Sequence, residues 1–115
     1  MHMGSMAIVA NKAPKNYVHV VFNNGAHDSV GGQPTVGLKI DLPAVAKAVG
    51  YKATIRVDSK EGLEKELSTL NSQLSTVGGP VFLEVKVKKG NRKDLGRPTT
   101  TPIQNKEALM DFLKK

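Results

Sequence analysis

Asn23, Asn24 and Gly25 stand where a run of β-branched and aromatic residues, positions 17–22 (YVHVVF), stops abruptly. A run with no polar alternation reads as a strand covered on both faces, as in a parallel sheet. The chain just beyond the carboxyl end of such a strand is where ligands sit in α/β folds. An asparagine side chain and the backbone carbonyls beside it offer oxygen donors. A hard cation such as magnesium takes these, and needs few of them from the protein when a diphosphate supplies the rest. Gly25 would let the backbone come close to a ligand. Asn-Asn-Gly is equally the composition of a plain turn, and spacing alone favours the turn. His27, Asp28 and Ser29 hold the residue types of a hydrolase triad, but consecutive side chains point apart and cannot relay a proton in a line. Asp28 and Ser29 read instead as turn or cap residues. His19, inside the strand, reads as a core or supporting residue, and His2 is too close to the terminus to interpret.

The elements that would position these residues alternate along the chain. Residues 27–37 hold three glycines, Pro34, Asp28, Ser29 and Thr35 and are expected to form a loop. Asp41 is a candidate N-cap, Pro43 suits a first helical turn, Leu42, Val45, Ala46 and Val49 recur at helical spacing, and Gly50 can close the helix. Residues 53–57 form a second predicted strand, followed by Asp58 and Glu61 at the spacing of a capping box. Leu63, Leu67, Leu70 and Leu74 line one face of a longer helix that packs on the sheet, or that another part of the domain covers, before Gly78, Gly79 and Pro80 end it. Residues 81–87 give a third strand, in which Glu84 and Lys86 alternate with apolar neighbours as on an edge or near a strand end. Pro98 and Pro102 bracket an extended stretch, and Leu109, Phe112 and Leu113 have the spacing of a final helix from Asn105, with Lys114 and Lys115 favourable to its dipole. Strands separated by helices imply right-handed crossovers, hence an α/β fold with a small parallel sheet of about three strands and helices on both faces, three layers in all.

Composition narrows the function classes. With 115 residues, 39% hydrophobic and 23% charged, a single globular domain over residues 1–115 is expected. No cysteine is present, which removes thiolate nucleophiles, disulfides and cysteine-based zinc sites and is compatible with a cytoplasmic protein. No apolar run is long enough to span a bilayer, so no membrane role is expected. The net charge of +7 is concentrated in Lys86, Lys88, Lys89, Arg92, Lys93 and Arg97, opposed locally by Asp94. With two Tyr, three Phe and no Trp, stacking platforms are scarce and nucleic acid is not the expected partner. Arg92, Lys93 and Arg97 read as a solvated loop, with a place near an anionic phosphonate or diphosphate as the alternative.

Longer strings carry more information than the double asparagine. MHMGSMA at residues 1–7, APKNYVHV at 13–20, NNGAHDSVGGQPT at 23–35 and KKGNRKDLGRPTTTP at 88–102 resemble the phosphonopyruvate decarboxylase family of thiamine-diphosphate enzymes, over nearly the whole chain. Sulfopyruvate decarboxylase is a near neighbour of that family. The first string also fits a cloning remnant, although the family has a similar Met-rich helical turn. The resemblance implies the C-terminal part of the diphosphate-binding domain, with the 81–87 strand between the other two. It implies thiamine diphosphate and magnesium as cofactors of the intact protein. Carried onto this sequence, Asn24 binds the metal through its side chain and Ala26 through its backbone oxygen. Gly25 completes the cofactor-binding turn and Asn23 supports it. His27, as a candidate catalytic group, and Gln33, near the substrate, line the mouth of the cleft.

The family's metal motif opens with Gly-Asp-Gly, which this sequence does not contain. The resemblance therefore implies that it lies before Met1, and that the glutamate acting on the cofactor's pyrimidine ring lies in an earlier domain. The chain alone is then expected to bind the cofactors weakly and to be inactive. The expected partners are a small anionic 2-oxo acid, the missing N-terminal portion with its pyrimidine-binding domain, and further copies of the chain. A non-catalytic folded remnant that self-associates is the contrasting expectation.

Overall fold

The computed structural model describes residues 2–114. Three strands, β1 (Val18–Asn23), β4 (Ala53–Val57) and β5 (Val81–Lys86), form a parallel sheet in the order β1-β5-β4. Between β1 and β4 lie a short antiparallel pair, β2 (Ala26–His27) with β3 (Gln33–Pro34), a 3-10 turn at Asp28–Val30, and helix α2 (Leu42–Val49). Helix α1 (Ser5–Lys12) precedes β1, α3 (Lys60–Thr76) joins β4 to β5, and α4 (Pro102–Leu113) ends the chain. The expected α/β architecture, parallel pairing and central third strand are all present.

Alternation along the strands sorts the side chains into two layers. On one face Met6 of α1, Ala46 of α2, Tyr51 and Phe82 form a buried cluster, with Val9, Val21 and Val45 packed against it. The burial of Met6 makes that residue of the opening string part of the fold. On the other face Val57, Leu83 and Val85 form a second cluster, which receives Leu63 of α3. The rest of the leucine stripe is less committed. No residue of α3 is fully buried, and Leu67 is half exposed. Val20 and Phe22 are in register with Leu83 and Val85, hence on the same face, yet remain 42% and 68% exposed. That part of the sheet lacks a covering layer within this chain.

Several local expectations need correction. The 81–87 strand is not an edge, and it ends at Lys86. Val81 to Val85 are all buried because both sides of β5 are hydrogen-bonded, and Glu84 is tolerated there because polar partners meet it. Helix α3 is capped by Ser59, whose side chain accepts from the Gly62 amide at 3.2 Å, so Asp58 and Glu61 do not form its capping box. Pro102 opens the last helix rather than closing an extended stretch. Thr101 caps it in a reciprocal box with Gln104, so the helix starts at Pro102, three residues before the expected Asn105. Lys115 lies outside the described residues. The loop at 27–37 contains the β2–β3 pair, and β1 is shifted by one residue to include Asn23 but not Tyr17.

His19 packs into the first layer. Its Nδ1 is 2.8 Å from the Tyr51 hydroxyl and its ring meets Phe82 edge-on at 5.3 Å. Burial lowers the His19 pKa and raises that of Tyr51. A histidine whose folded pKa is depressed favours folding while neutral. That contribution is complete above the unfolded value of about 6.5 and is lost as pH falls through it toward the folded value. Thermal melts of the protein and of His19→Gln between neutral and mildly acidic pH check this. The wild type should lose melting temperature faster than the variant once pH drops below about 6.5.

Candidate functional site

At the carboxyl end of β1 the two asparagines do different work. Asn23 is buried, and its Nδ2 donates to the Gly37 carbonyl at 2.7 Å and to Glu84 Oε1 at 2.6 Å. Its Oδ1 accepts the Gly25 amide at 3.2 Å, which folds the chain back. Gly25 adopts φ +68°, a left-handed conformation in which a Cβ would also lie 2.5 Å from Leu38 Cδ1. Gly37 is needed for space. A Cβ there would stand 2.7 Å from Asn23 Oδ1.

Asn24 is half-buried and faces the other way. Its Oδ1 accepts the Ala26 amide at 3.0 Å, and its Nδ2 donates to Asp28 Oδ2 at 2.7 Å. Asp28 Oδ2 also accepts the Gly90 amide at 3.1 Å, and Lys89 Nζ donates to the Gly32 carbonyl at 2.6 Å. The chain after β5 thus holds the loop after β1. The expectation of Asp28 as a loop-organising residue fits this bonding, which sequence spacing could not supply because Gly90 is 62 residues away.

Backbone alternation in the short hairpin decides what Ala26 can offer. The Thr35 amide donates to the Gly25 carbonyl at 2.8 Å, so the adjacent pair Ala26 and Pro34 is the non-hydrogen-bonded one. Pro34 has no amide hydrogen, and both polar groups of Ala26 point away from β3. Its N–H accordingly meets Asn24 Oδ1. The Ala26 carbonyl is therefore free of the hairpin ladder, on the outward side that Asn24 shares.

Both residues line a cleft of about 690 Å³ bounded by Val21, Phe22, Val36, Ile40, Leu42 and Phe82. A mostly apolar wall with a few fixed polar groups is the usual make-up of a small-molecule site. His27 lines the cleft and is half-buried, its carbonyl accepting the Gly32 amide at 2.9 Å. Gln33 sits opposite His27 on β3 but is exposed and outside the cleft lining. Met6, which carried no site expectation, and His19, read as a core or supporting residue, also line it. Arg92, Lys93 and Arg97 are exposed and away from the cleft, with Arg92 facing Asp94 at 3.5 Å. Among the described residues no cluster of three or more His, Cys, Asp or Glu could hold a metal, and no helix is long and apolar enough to cross a membrane. The oxygen donors that the turn itself brings to this cleft are the Asn24 side-chain amide and the Ala26 backbone carbonyl.

Residues 1–85 match the family model described as thiamine pyrophosphate enzyme, C-terminal TPP binding domain. The chain belongs to this family. A phosphonopyruvate decarboxylase of Streptomyces viridochromogenes is 43% identical over 90% of the chain, and one of Streptomyces hygroscopicus is 38% identical over 97%. A sulfopyruvate decarboxylase of Methanosarcina acetivorans is 34% identical over 97%. This TPP-binding domain spans only 25 to 27% of the length of those three relatives.

Gly25 gives a direct test of the turn. Gly25→Ala should destabilise the domain by about 1–2 kcal/mol through its left-handed backbone, besides displacing Leu38. Gly96→Ala, where nothing lies within 4 Å of the added carbon and φ is not positive, should stay within about 0.5 kcal/mol of wild type. Denaturant melts of the two variants make the comparison.

Proposed function

We propose that this chain supplies the diphosphate and magnesium end of a thiamine-diphosphate-dependent decarboxylase acting on a short anionic 2-oxo acid, with phosphonopyruvate as substrate and phosphonoacetaldehyde and carbon dioxide as products. The observation that supports it most is the Asn24 side-chain oxygen, which accepts the Ala26 amide, standing on the same outward side as the Ala26 carbonyl beyond β1, in a chain similar over most of its length to phosphonopyruvate decarboxylases. The likeness to a sulfopyruvate decarboxylase over 97% of the chain supports the sulfonate analogue as the second reading. Assay of the full-length protein against both acids separates them.

The residues present fit the cofactors. Asn24 Oδ1 keeps a second lone pair besides the one facing the Ala26 amide, and Asp28 holds the amide nitrogen so that the oxygen is not turned away. Asn24 and Ala26 would hold magnesium, and Gly25 would let the diphosphate approach the backbone. When bound, the thiazolium ring of the cofactor takes up the electron pair released as carbon dioxide leaves. The chain's own part is to orient, to exclude water with the apolar cleft wall, and to place His27 on that wall as the candidate catalytic group beside substrate. Gln33 could reach substrate only from the rim. The remaining ligands and the pyrimidine-binding region would come from the longer protein, and the exposed Val20 and Phe22 face is a surface for that region or for a second copy.

Two measurements test this reading. Calorimetry should show binding of magnesium and thiamine diphosphate by the isolated chain weaker than micromolar, because the cation shell is only partly present. In the full-length enzyme, Asn24→Ala should cost roughly 100-fold or more in activity with partial rescue by excess magnesium. The ligand-free stability should change by only about 1–2 kcal/mol, the worth of the two half-buried hydrogen bonds of its side chain. A collapse of the ligand-free melt with no rescue would make Asn24 a structural residue and overturn the metal assignment.

A further inference from the structure

Glu84 has no exposed surface, stands in the central strand, and is bonded on both oxygens. Oε2 accepts from Arg56 Nε at 2.6 Å and Oε1 from Asn23 Nδ2 at 2.6 Å. Arg56 continues to Asp41, the N-cap of α2, at 2.7 Å. A carboxylate placed here costs desolvation that an apolar residue would avoid, so its presence calls for an explanation beyond packing.

Hydrogen-bond polarity supplies one. The Asn23 amide has two orientations of nearly equal shape. In the observed one its NH2 faces two acceptors, Gly37 O and Glu84 Oε1, and its oxygen faces a donor, Gly25 N. Flipped, it would set its oxygen against both acceptors and its NH2 against the Gly25 amide. The doubly accepting carboxylate thus selects the orientation in which Asn23 closes the turn.

We infer that Glu84, acting through Asn23, is a positioning residue that fixes the Asn24–Ala26 turn in the geometry needed to present its oxygens. This rests on the reading of Asn24 and Ala26 as cation ligands, but the geometric claim can be measured without any cation. A glutamine at position 84 has one acceptor and one donor end. The charged guanidinium competes best for the acceptor, so the NH2 of the glutamine would face the NH2 of Asn23. Replacing Arg56 with methionine as well frees the glutamine oxygen to accept from Asn23 again.

The test is hydrogen exchange by NMR on the 115-residue chain, following the Asn23 side-chain NH2 and the Gly25 amide, with Val85 as the reference for global opening. In Glu84→Gln, protection at Asn23 and Gly25 should fall roughly tenfold beyond any change at Val85. In the Arg56→Met, Glu84→Gln double variant it should recover even though an ion pair has been removed and Val85 exchanges faster. Protection at Gly25 that simply tracks Val85 in both variants would show a purely structural role and overturn the inference. Should Glu84→Gln not fold, Asn23→Ala retains the Arg56–Glu84 pair and decides the matter. Gly25 must then lose its protection relative to Val85, and unchanged protection overturns the inference. Broadening of Asn24 and Ala26 signals by Mn2+ with thiamine diphosphate, recorded on the full-length wild-type protein, reads the cation assignment separately. Its absence would fail that assignment and leave the exchange result standing.

Discussion

One carboxylate without access to water ties together every strand of this sheet. Glu84 lies on β5, Arg56 beside it on β4, and Asn23 diagonally across on β1, and through Arg56 the link reaches the cap of α2. Such a group is stable only while its partners are in place, since removing one partner of a buried pair typically costs about 3–5 kcal/mol. Arg56 is partly exposed, which softens its share of that cost. Sheet register, loop return at Gly37 and the start of α2 therefore have to form together. The arrangement transmits the position of the sheet to the turn at Asn24 without an intervening flexible element.

The two faces of the sheet differ in how complete they are. Helices α1 and α2 close one face over Phe82, and that closure also builds the wall of the cleft. The other face is covered over Leu83 and Val85 by α3, yet it leaves Val20 and Phe22 largely in water. A row of apolar side chains on an edge strand is unfavourable in isolation and is the pattern of a surface meant to meet another part of a protein. The half-exposed Leu67 of α3 fits the same pattern. Leu63 is the residue of this helix that packs on the second cluster, and none of its residues is fully buried.

The sheet was legible because periodicity and crossover rules depend on local sequence. The run at 17–22, the β-branched 53–57 segment and the glycine-proline break before Val81 each read correctly as strand or boundary. The misreading of Glu84 has a clear cause, which is that partners distant in sequence decide the outcome. Glu84 looked like an edge residue because its alternation with Leu83 and Val85 is the pattern of a half-exposed strand, and neither Asn23 nor Arg56 adjoins it in the chain. Asp58 and Ser59 are both good caps one residue apart, and it is the Ser59 side chain that takes the Gly62 amide. At the site, the asparagine turn was visible, whereas the bonding of Asp28 to Gly90 and the exposure of Gln33 were not.

The division of labour between the two asparagines follows from counting donors and acceptors. Asn23 has every polar atom matched by a protein group, its NH2 by two acceptors and its oxygen by the Gly25 amide. Such a residue has little left to offer a ligand and much to lose by moving. In Asn24 the nitrogen is committed to Asp28, while the oxygen accepts one backbone amide and retains capacity for a second partner. The Ala26 carbonyl is freed for a different reason, its position in the non-hydrogen-bonded pair opposite a proline. Spare acceptors with fixed direction are thus produced by saturating their neighbours, and the buried carboxylate is what saturates the first of them.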